Sequence, residues 1–270
     1  MSQIGQTVAP DPAAELRSEV EHLEALPQLV VAHSRDLAPG EAILPHSHTK
    51  AQLVYASAGV MTVTTADGAF VVPPQRALWV PAGKVHRIDT RGSLAMRTLY
   101  IAEGAAPDLP DEVRVLHVSP LLRELVLAAI AAPQVYAPGG GEERLMQVIL
   151  DQLRATPTAP LSLPMPADRR LRKVTDGLLD DPADDRGLED WAREAGASGR
   201  TLARLFRAET GMSFRAWRQQ LRLMRGLEML AAGAPVTTVA LDLGYDSPSA
   251  FIAMFRRALG TTPRRYFAAG

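Results

Sequence analysis

Three histidines and a glutamine in the first half of the chain are the residues best suited to metal chemistry. His46, His48 and Gln52 follow one another at even spacing, and His86 comes later in the chain. Even spacing places side chains on one face of a β-strand, so the first three should project together. Imidazoles suit Zn, Ni, Cu or Fe, whereas a neutral amide lowers the affinity for a hard cation. These four residues are therefore candidate ligands of a divalent transition metal.

The segment that carries these residues is predicted to consist of short strands. Its apolar runs are rich in β-branched residues and are separated by Gly, Pro or Asp-Gly, and Asp67–Gly68 is a strong hairpin signal. The predicted strands cover 29–32, 51–55, 60–65, 70–72, 77–80, 86–88 and 94–101. Seven short strands at close spacing predict a small sandwich or barrel. His86 can then face the other three ligands across it.

The spacing of these residues resembles that of a known fold family. The residues concerned are Gly40, His46, His48, Gln52 and Gly59, followed by Pro81, Gly83 and His86. They are similar to the two cupin motifs, in which three histidines and a glutamate bind a divalent metal. Gln52 stands in place of that glutamate, and Gln75 in place of a glycine. The resemblance implies either a metal site or a pocket lined by the same residues without metal. We expect the small-molecule pocket beside it to include Tyr55, Trp79 and Arg97.

Two segments near the C-terminus, 188–207 and 236–257, have the pattern of helix-turn-helix units. Each places a small-residue turn and a Ser cap, Ser198 or Ser247, between an apolar helix and an arginine-bearing helix. A connecting helix over Phe214–Ala232 would span ~28 Å. That length is close to the ~34 Å between successive major grooves, so both units could insert together.

The outer faces of the two arginine-bearing helices differ in chemistry. In the first unit they carry Arg200, Ala203, Arg204 and Arg207, and in the second Ser249, Ile252, Ala253 and Arg256. An arginine near such a helix start can bond guanine O6 and N7, while Ser198 or Thr201 could hold a phosphate. The second face has few long polar groups, so we expect it to read methyl groups and shape while Arg256 and Arg257 hold phosphates. A solvated basic face is the alternative for the first unit.

Residues 170–268 resemble the DNA-binding domain of the AraC/XylS family of bacterial transcription regulators. The matching segments are 202–214, 221–230, 239–247 and 255–260, together with Phe251 and Pro263. The resemblance implies that Arg200, Ala203 and Arg204 contact bases. It assigns the corresponding positions of the second unit to Pro248, Ser249 and Ala253.

Charge and composition agree with a DNA-binding second half. Residues 1–165 contain 12 Lys and Arg against 17 Asp and Glu, a net charge of −5, whereas residues 166–270 contain 17 against 13, a net charge of +4. The uneven distribution predicts that a polyanion meets the C-terminal half. The chain has no cysteine, which excludes disulfides, thiolate metal sites and repair through a methyl-accepting cysteine. No apolar run reaches the ~20 residues that span a bilayer, and no secretory signal is present, so we expect a bacterial cytoplasmic protein without membrane partners.

These observations predict two domains: an N-terminal all-β, cupin-like barrel followed by two linker helices, and a C-terminal all-α domain with two helix-turn-helix units. The predicted parts are a partly disordered leader (1–27), the cupin-like sensor domain (28–115), a helical linker or dimerisation region (116–156), a proline-rich linker (157–166) and the DNA-binding domain (167–270). The predicted function is that of a non-enzymatic regulator that binds double-stranded operator DNA. Its expected partners are a small-molecule effector or metal ion, a second copy of the chain and, for an activator, RNA polymerase. The alternative is a metal-dependent cupin enzyme, such as a dioxygenase or isomerase, fused to a DNA-binding domain.

Overall fold

A computed structural model describes residues 12–156 and 161–268. The strands are β1 (Val30–Leu37), β2 (Ala42–His46), β3 (Ala51–Ala58), β4 (Met61–Thr65), β5 (Gly68–Val72), β6 (Arg76–Val80), β7 (His86–Thr90), β8 (Leu94–Ile101), β9 (Arg114–His117) and β10 (Ser162–Pro164). The helices are α1 (Pro12–Ala25), α2 (Pro120–Ala131), α3 (Gly141–Arg154), α4 (Arg169–Asp180), α5 (Leu188–Ala195), α6 (Gly199–Thr210), α7 (Phe214–Ala231), α8 (Val236–Asp242), α9 (Pro248–Leu259) and α10 (Pro263–Ala268). The predicted order of a β-rich and then a helical domain is confirmed. None of the described helices has the length and apolar character needed to span a membrane.

Two five-stranded antiparallel sheets form the N-terminal domain, called the β domain below. Sheet A has the order β1-β8-β3-β6-β9, and sheet B has the order β10-β5-β4-β7-β2. Every second residue of a strand contributes to the core between the sheets, as with Val54 of β3, Leu78 of β6 and Ile88 of β7, each at most 1% exposed. Because side chains alternate along a strand, this parity decides which residues share the interior. Strands β2, β9 and β10 were missed by the sequence prediction.

Helices α2 and α3 cover the outer face of sheet A. Leu122 of α2 and Ile149 of α3 are buried there against strand residues of the opposite parity, including Leu53 and Leu99. Ser119 begins α2 by accepting a hydrogen bond from the backbone N–H of Leu122 at 3.1 Å. The sequence left open whether the two helices cover the β domain or meet a second subunit, and the structure shows the first role. Their outer side exposes further apolar residues, Leu121 at 55% and Val148 at 43%.

The predicted proline-rich linker is partly a strand. Residues 157–160 lie outside the described part, but β10 pairs with Gly68–Phe70 at the edge of sheet B. The linker prediction was therefore wrong for β10, because an edge strand tolerates proline: its carbonyl still accepts hydrogen bonds although it has no N–H to donate. The Trp217 indole N–H donates to the Pro164 carbonyl at 2.8 Å, which ties β10 to the connecting helix α7.

The helical domain, α4 to α10 of the described chain, is built around large aromatic side chains. Trp191, Phe206, Trp217, Phe251 and Phe255 are each at most 1% exposed. Phe206 of the first helix-turn-helix unit packs on Trp217 of α7 with ring centroids 6.2 Å apart. Helix α7 has 18 residues and ends one residue before the predicted position. It therefore joins the two units through a shared core.

Candidate metal centre and DNA-reading helices

The structure brings the four predicted metal ligands together at one end of the β domain. His46 ends β2, Gln52 lies in β3 and His86 begins β7, while His48 lies in the loop before β3. One ring nitrogen from each histidine lies within 4.8 Å of the others. The His46 and His86 ring centroids are 4.3 Å apart, and Gln52 Oε1 is 3.0 Å from His48 Nε2. These four residues are called the histidine cluster below.

Backbone carbonyls fix the orientation of all three imidazoles. The Nδ1 atoms of His46 and His86 lie 2.9 and 3.0 Å from the carbonyl oxygens of Leu44 and Lys84, and His48 Nδ1 contacts the carbonyl oxygen of Lys50. A carbonyl oxygen only accepts, so each Nδ1 carries the proton and donates. In a neutral imidazole the lone pair is then left on Nε2. Each imidazole of the cluster, when neutral, thus presents its lone pair at Nε2.

Gln52 presents an oxygen to the same point. Its amide Nε2 donates to Thr98 Oγ1 at 2.8 Å, and that hydroxyl donates to the Leu53 carbonyl at 3.0 Å. This chain of donors holds the amide so that Oε1 faces His48 Nε2. A carbonyl oxygen facing a lone pair is unfavourable unless a proton or a cation lies between them. His86 Nε2 is buried with no hydrogen-bond partner among the described residues.

Burial keeps two imidazoles of the cluster, His46 and His86, uncharged. His86 is 1% exposed, and burial lowers its pKa to about 3, with smaller contributions from the charges of His46 and His48. Burial is also the largest cause that lowers the pKa of His46. At neutral pH these two imidazoles are therefore free bases, which is the form that binds a metal ion.

The predicted pocket residues lie elsewhere. Tyr55 and Trp79 are buried against α2 and α3 on the outer face of sheet A. Arg97 is the cross-strand partner of Tyr55, and it donates to Asp36 Oδ1 at 2.7 Å. The placement of these three beside the cluster was wrong, because Tyr55 is three residues from Gln52 and so projects to the opposite side of β3.

Helix α1, within the segment predicted as a partly disordered leader with a short helix, closes the β domain next to the cluster. Leu16, Val20 and Leu23 are at most 8% exposed, and Leu23 packs with Tyr100, whose ring lies 5.1 Å from that of His48. Lys50 is 7% exposed and donates to the carbonyl oxygen of Leu23 at 3.1 Å. The repeat of leucine and valine at positions 16, 20 and 23 was the available signal. Residues 1–11 of the predicted leader lie outside the described part.

Both helix-turn-helix units have the predicted turns and caps. Gly196 ends α5 with φ of 67°, and Gly244 follows α8 with φ of 71°, a left-handed conformation that favours glycine. A Cβ on Gly244 would lie 2.7 Å from the Ala183 carbonyl oxygen, so no larger residue fits there. Ser198 accepts from the Thr201 N–H at 3.2 Å, and Ser247 accepts from the Ala250 N–H at 3.3 Å. Both serines therefore serve as N-caps.

The predicted reading face of α6 is exposed and unneutralised. Arg200, Ala203, Arg204 and Arg207 all point to solvent, while Leu202 on the other side is buried. Within residues 12–156 and 161–268, none of these three arginines forms an ion pair with a carboxylate. The guanidinium groups are thus available to an anion or a base edge.

The reading face of α9 has less to offer to base edges. Ser249 and Ala253 are exposed, Ile252 is half-buried, and two exposed arginines, Arg256 and Arg257, follow in the last turn. These arginines also lack a carboxylate partner in the described part of the chain. The difference between the two units agrees with the sequence-based expectation, and the assignment of each residue to a base or phosphate stays a prediction.

A buried carboxylate that the sequence did not predict joins the two domains. Glu228 of α7 is 6% exposed, and its carboxylate lies 3.0 Å from Arg91 Nε and 3.0 Å from Arg225 Nη1. The Thr62 hydroxyl of β4 donates to its other oxygen. A buried carboxylate needs such partners, but only the fold shows that two of them come from the β domain. Below, this contact is called the Glu228 clasp.

Two protein families match the chain. A family described as an AraC-like ligand binding domain matches residues 29–155, and one described as a helix-turn-helix domain matches residues 191–269. These ranges fall on the β domain with α2 and α3, and on the helical domain from α5 onward. The first match therefore covers the domain that contains the histidine cluster, and the second covers most of the domain that contains the two reading helices.

Several individual proteins are also similar to this chain. The ToxT structure from Vibrio cholerae aligns with 89% of this chain and 98% of its own, at 8% identity and a TM-score of 0.38. The arabinose operon regulatory protein of Salmonella typhimurium is 28% identical over 165 residues, which are 58% of this chain and 55% of that protein. The HTH-type transcriptional regulator NimR of Escherichia coli K12 is 39% identical over 223 residues, or 83% of this chain and 81% of NimR. The similarity to NimR and the two family matches show that the chain belongs to the AraC/XylS family of DNA-binding transcription regulators, with an N-terminal ligand-binding domain.

Proposed function

We propose that this regulator binds a divalent transition-metal ion at the histidine cluster and that the bound ion controls its affinity for operator DNA. The ligands would be Nε2 of His46, His48 and His86 and Oε1 of Gln52. The main support is that backbone carbonyls take up all three Nδ1 protons, which leaves Nε2 of each neutral ring free to bind, and that one nitrogen of each ring lies within 4.8 Å of the others. Such bonds to the non-ligating nitrogen are typical of histidines that bind metals.

The spacing of the ligand atoms fits a metal ion after a small movement. Ligand nitrogens bind zinc at about 2.0–2.1 Å, so two of them around one ion lie about 3–3.5 Å apart. The Nε2 of His48 and Oε1 of Gln52 are already 3.0 Å apart. The three histidine nitrogens lie within 4.8 Å of one another and would need to close by about 1 Å. Three imidazoles with one amide suit Zn, Ni, Cu or Fe, as the sequence predicts.

The bound ion would supply a Lewis-acidic point to which an oxygen or nitrogen donor of a small-molecule effector can attach. The metal-binding group of the described residues contains three histidines and no carboxylate. A metal-dependent isomerase would need an acid or base besides the ligands of the ion, and this group supplies only the three proposed histidine ligands, so we assign the site to sensing and propose that the protein is not an enzyme.

Strand β7 offers a direct route from the metal site to the DNA-binding domain. His86 is its first residue, and Arg91, which forms the clasp with Glu228, directly follows its last residue. Five residues of extended chain span about 16 Å. A shift of His86 on metal binding would therefore change the position of Arg91 and the fit of α7 against sheet B. Metal binding can change DNA affinity only to the extent that the ion binds one arrangement of the two domains more tightly than the other.

The complete regulator is proposed to act as a homodimer. A single domain with two reading helices covers about two neighbouring major grooves, and operators with two half-sites need a second copy. The outer side of α2 and α3, with Leu121 and Val148 exposed, is the surface that a second copy would cover. As an activator the dimer would contact RNA polymerase.

Elemental analysis of the purified protein tests the metal site. After chelation and reloading with Zn, Ni, Cu or Fe in turn, we expect one bound ion per chain in the wild type. His46→Ala and His86→Ala should lower metal affinity by at least about 100-fold, because each removes a ligand. His117→Ala, at an exposed position outside the cluster, is the matched control and should retain the metal.

The same samples test control of DNA binding. The operator can be defined by selection from random-sequence duplexes, and its dissociation constant should differ between the stripped and the loaded wild type. His46→Ala, in which the altered residue is only half-buried, should show no such difference. If wild type and His46→Ala bind metal equally, the cluster is a metal-free pocket lining and the proposal is wrong.

A further inference from the structure

A groove lined by four arginines runs between α7 and α9. Arg215, Arg218 and Arg222 follow one another at intervals of three and four residues, which places them on one side of α7, and Arg257 faces them from α9. The remaining lining residues are Gln219, Tyr245, Ala250, Ala253 and Met254. The cavity has a volume of about 440 Å³ and contains no carboxylate among its lining residues.

The positive charge of this groove is not neutralised by side chains. Arg222 donates to the carbonyl oxygens of Pro182 at 2.8 Å and of Ala183 and Asp184 at 3.2 Å. Arg218 donates to the Arg186 carbonyl oxygen at 3.0 Å and lies over the Phe214 ring at 5.1 Å. The carboxylate of Asp184 is itself paired with Arg186. Backbone carbonyls orient guanidinium groups but carry no net charge, so the positive charge remains.

Arg215 and Arg257 have no carboxylate partner in the described part of the chain, and both are exposed. The pKa of Arg222 is lowered by its burial and, next, by the charge of Arg218; Asp181 and Asp185 act on it in the opposite direction but bond to none of the four arginines. The groove therefore holds two fixed and two free guanidinium groups. Guanidinium groups around one cavity can donate to two oxygens of the same oxyanion.

The position of the groove indicates the source of that oxyanion. Ala253 and Arg257 belong to it and also border the outer face of α9, beside Ser249 and Arg256. Arg215, Arg218 and Arg222 lie on α7, the helix that connects the two helix-turn-helix units, so the groove extends from the second reading helix onto this connection. If both helices enter successive major grooves, a stretch of DNA backbone must cross the region between them.

We propose that this arginine groove binds a phosphate group of the DNA backbone between the two major-groove contacts, through Arg215, Arg218 and Arg257. This inference rests on the proposed insertion of both helices. The contact is independent of sequence: it fixes the register of the two helices and adds affinity equally for every duplex. Arg222 positions the 182–186 loop and the neighbouring guanidinium groups.

The test is the salt dependence of DNA binding by the full-length protein. Arg215→Gln and Arg218→Gln should each flatten the slope of log affinity against log salt concentration by about 1, and the double variant by about 2. Affinity for the selected operator and for random duplex should fall by the same factor, about 5- to 10-fold for each change. Arg114→Gln, at an exposed position of β9, removes the same charge from the other domain and should leave the slope unchanged.

Three outcomes separate the possibilities. An unchanged slope in the double variant, together with a wild type that still distinguishes operator from random duplex, overturns the groove proposal alone. Loss of that distinction in the wild type instead contradicts the proposed reading function. Titration with inorganic pyrophosphate at constant ionic strength tests whether the groove binds a free phosphate compound instead of DNA. The assignment to DNA would be overturned if the wild type binds pyrophosphate, the double variant does not, and the salt slope of DNA binding is the same in both.

Discussion

The histidine cluster and the arginines of the reading helices are built in opposite ways. Each imidazole of the cluster is held by a backbone carbonyl, and His48 and His86 are at most 4% exposed. Arg200, Arg204 and Arg207 are exposed and have no carboxylate partner in the described part of the chain. Buried ligands of a small ion need hydrogen-bond partners even when the ion is absent, because burying polar groups without partners is costly. The fold therefore builds such a site in advance. A site for DNA can leave its donors in water until the duplex replaces that water.

This difference in burial predicts different effects of substitutions in the two regions. Removing a group from the cluster changes a packed interior, so its effects should appear in stability as well as in binding. Removing an exposed arginine should change DNA binding and leave stability within about 0.5 kcal/mol. The following predictions test this division, beginning with the largest expected effect.

The metal-free protein should lose stability as the pH falls from 6.5 toward 3. The unfolded chain binds a proton at His86 below its ordinary pKa of 6.5, whereas the folded chain binds it only near pH 3, since burial lowers that pKa to about 3. Between these values the unfolded state holds more protons, so the free energy of unfolding decreases with decreasing pH. At about 1.4 kcal/mol per pKa unit the contribution reaches a few kcal/mol. Denaturant unfolding of stripped protein at several pH values measures it.

His86→Gln is the comparison that isolates this contribution. Paired carboxylates such as Asp168, whose pKa its bonds to Arg170 lower to about 2, also lose their contribution in acid, but they do so equally in both proteins. The variant should therefore have a shallower pH dependence than the wild type. Equal pH profiles would show that His86 is not a buried neutral base, and the contrast with the exposed arginines would then fail.

Arg204→Ala should weaken operator binding by ~1–3 kcal/mol and relax the base preference at one position. The physical reason is the loss of a bidentate contact with a guanine edge, which no other group of α6 replaces. Competition binding with operators changed one base pair at a time measures both effects. Thermal unfolding should match that of the wild type, and Arg114→Ala serves as the charge-matched control. Unchanged affinity and base preference would remove Arg204 from the reading face.

The sequence predicted both regions because their signals are local. Close spacing grouped His46, His48 and Gln52, although these residues lie in β2, the following loop and β3 and not on one strand, and Ser caps with turn glycines located both helix-turn-helix units. Strand parity, applied to Tyr55, would have excluded it from the pocket. Tyr55 follows Gln52 by three residues within β3, and an odd interval places the two side chains on opposite faces.

The missed features depend on contacts between distant segments. Glu228 resembles an ordinary helix surface residue, and only the docking of α7 on sheet B shows that it meets Thr62 and Arg91. Strand β10 contains a proline, which argues against a strand unless the segment lies at a sheet edge. Neither the partner of a buried charge nor an edge position follows from composition or periodicity.

Arg256→Gln should have the smallest effect on operator binding. It compares the second reading helix, α9, with the first, α6, within the DNA-binding domain. The outer face of α9 offers Ser249, Ile252 and Ala253 to the duplex, and Arg256 lies in the last turn of that helix. A phosphate contact from that place carries no base information, so operator and random duplex should lose affinity by the same few-fold factor. The salt slope should flatten by about 1. A change in base preference comparable to that of Arg204→Ala would show that both helices read sequence directly, and the distinction between a reading unit and a phosphate-holding unit would be lost.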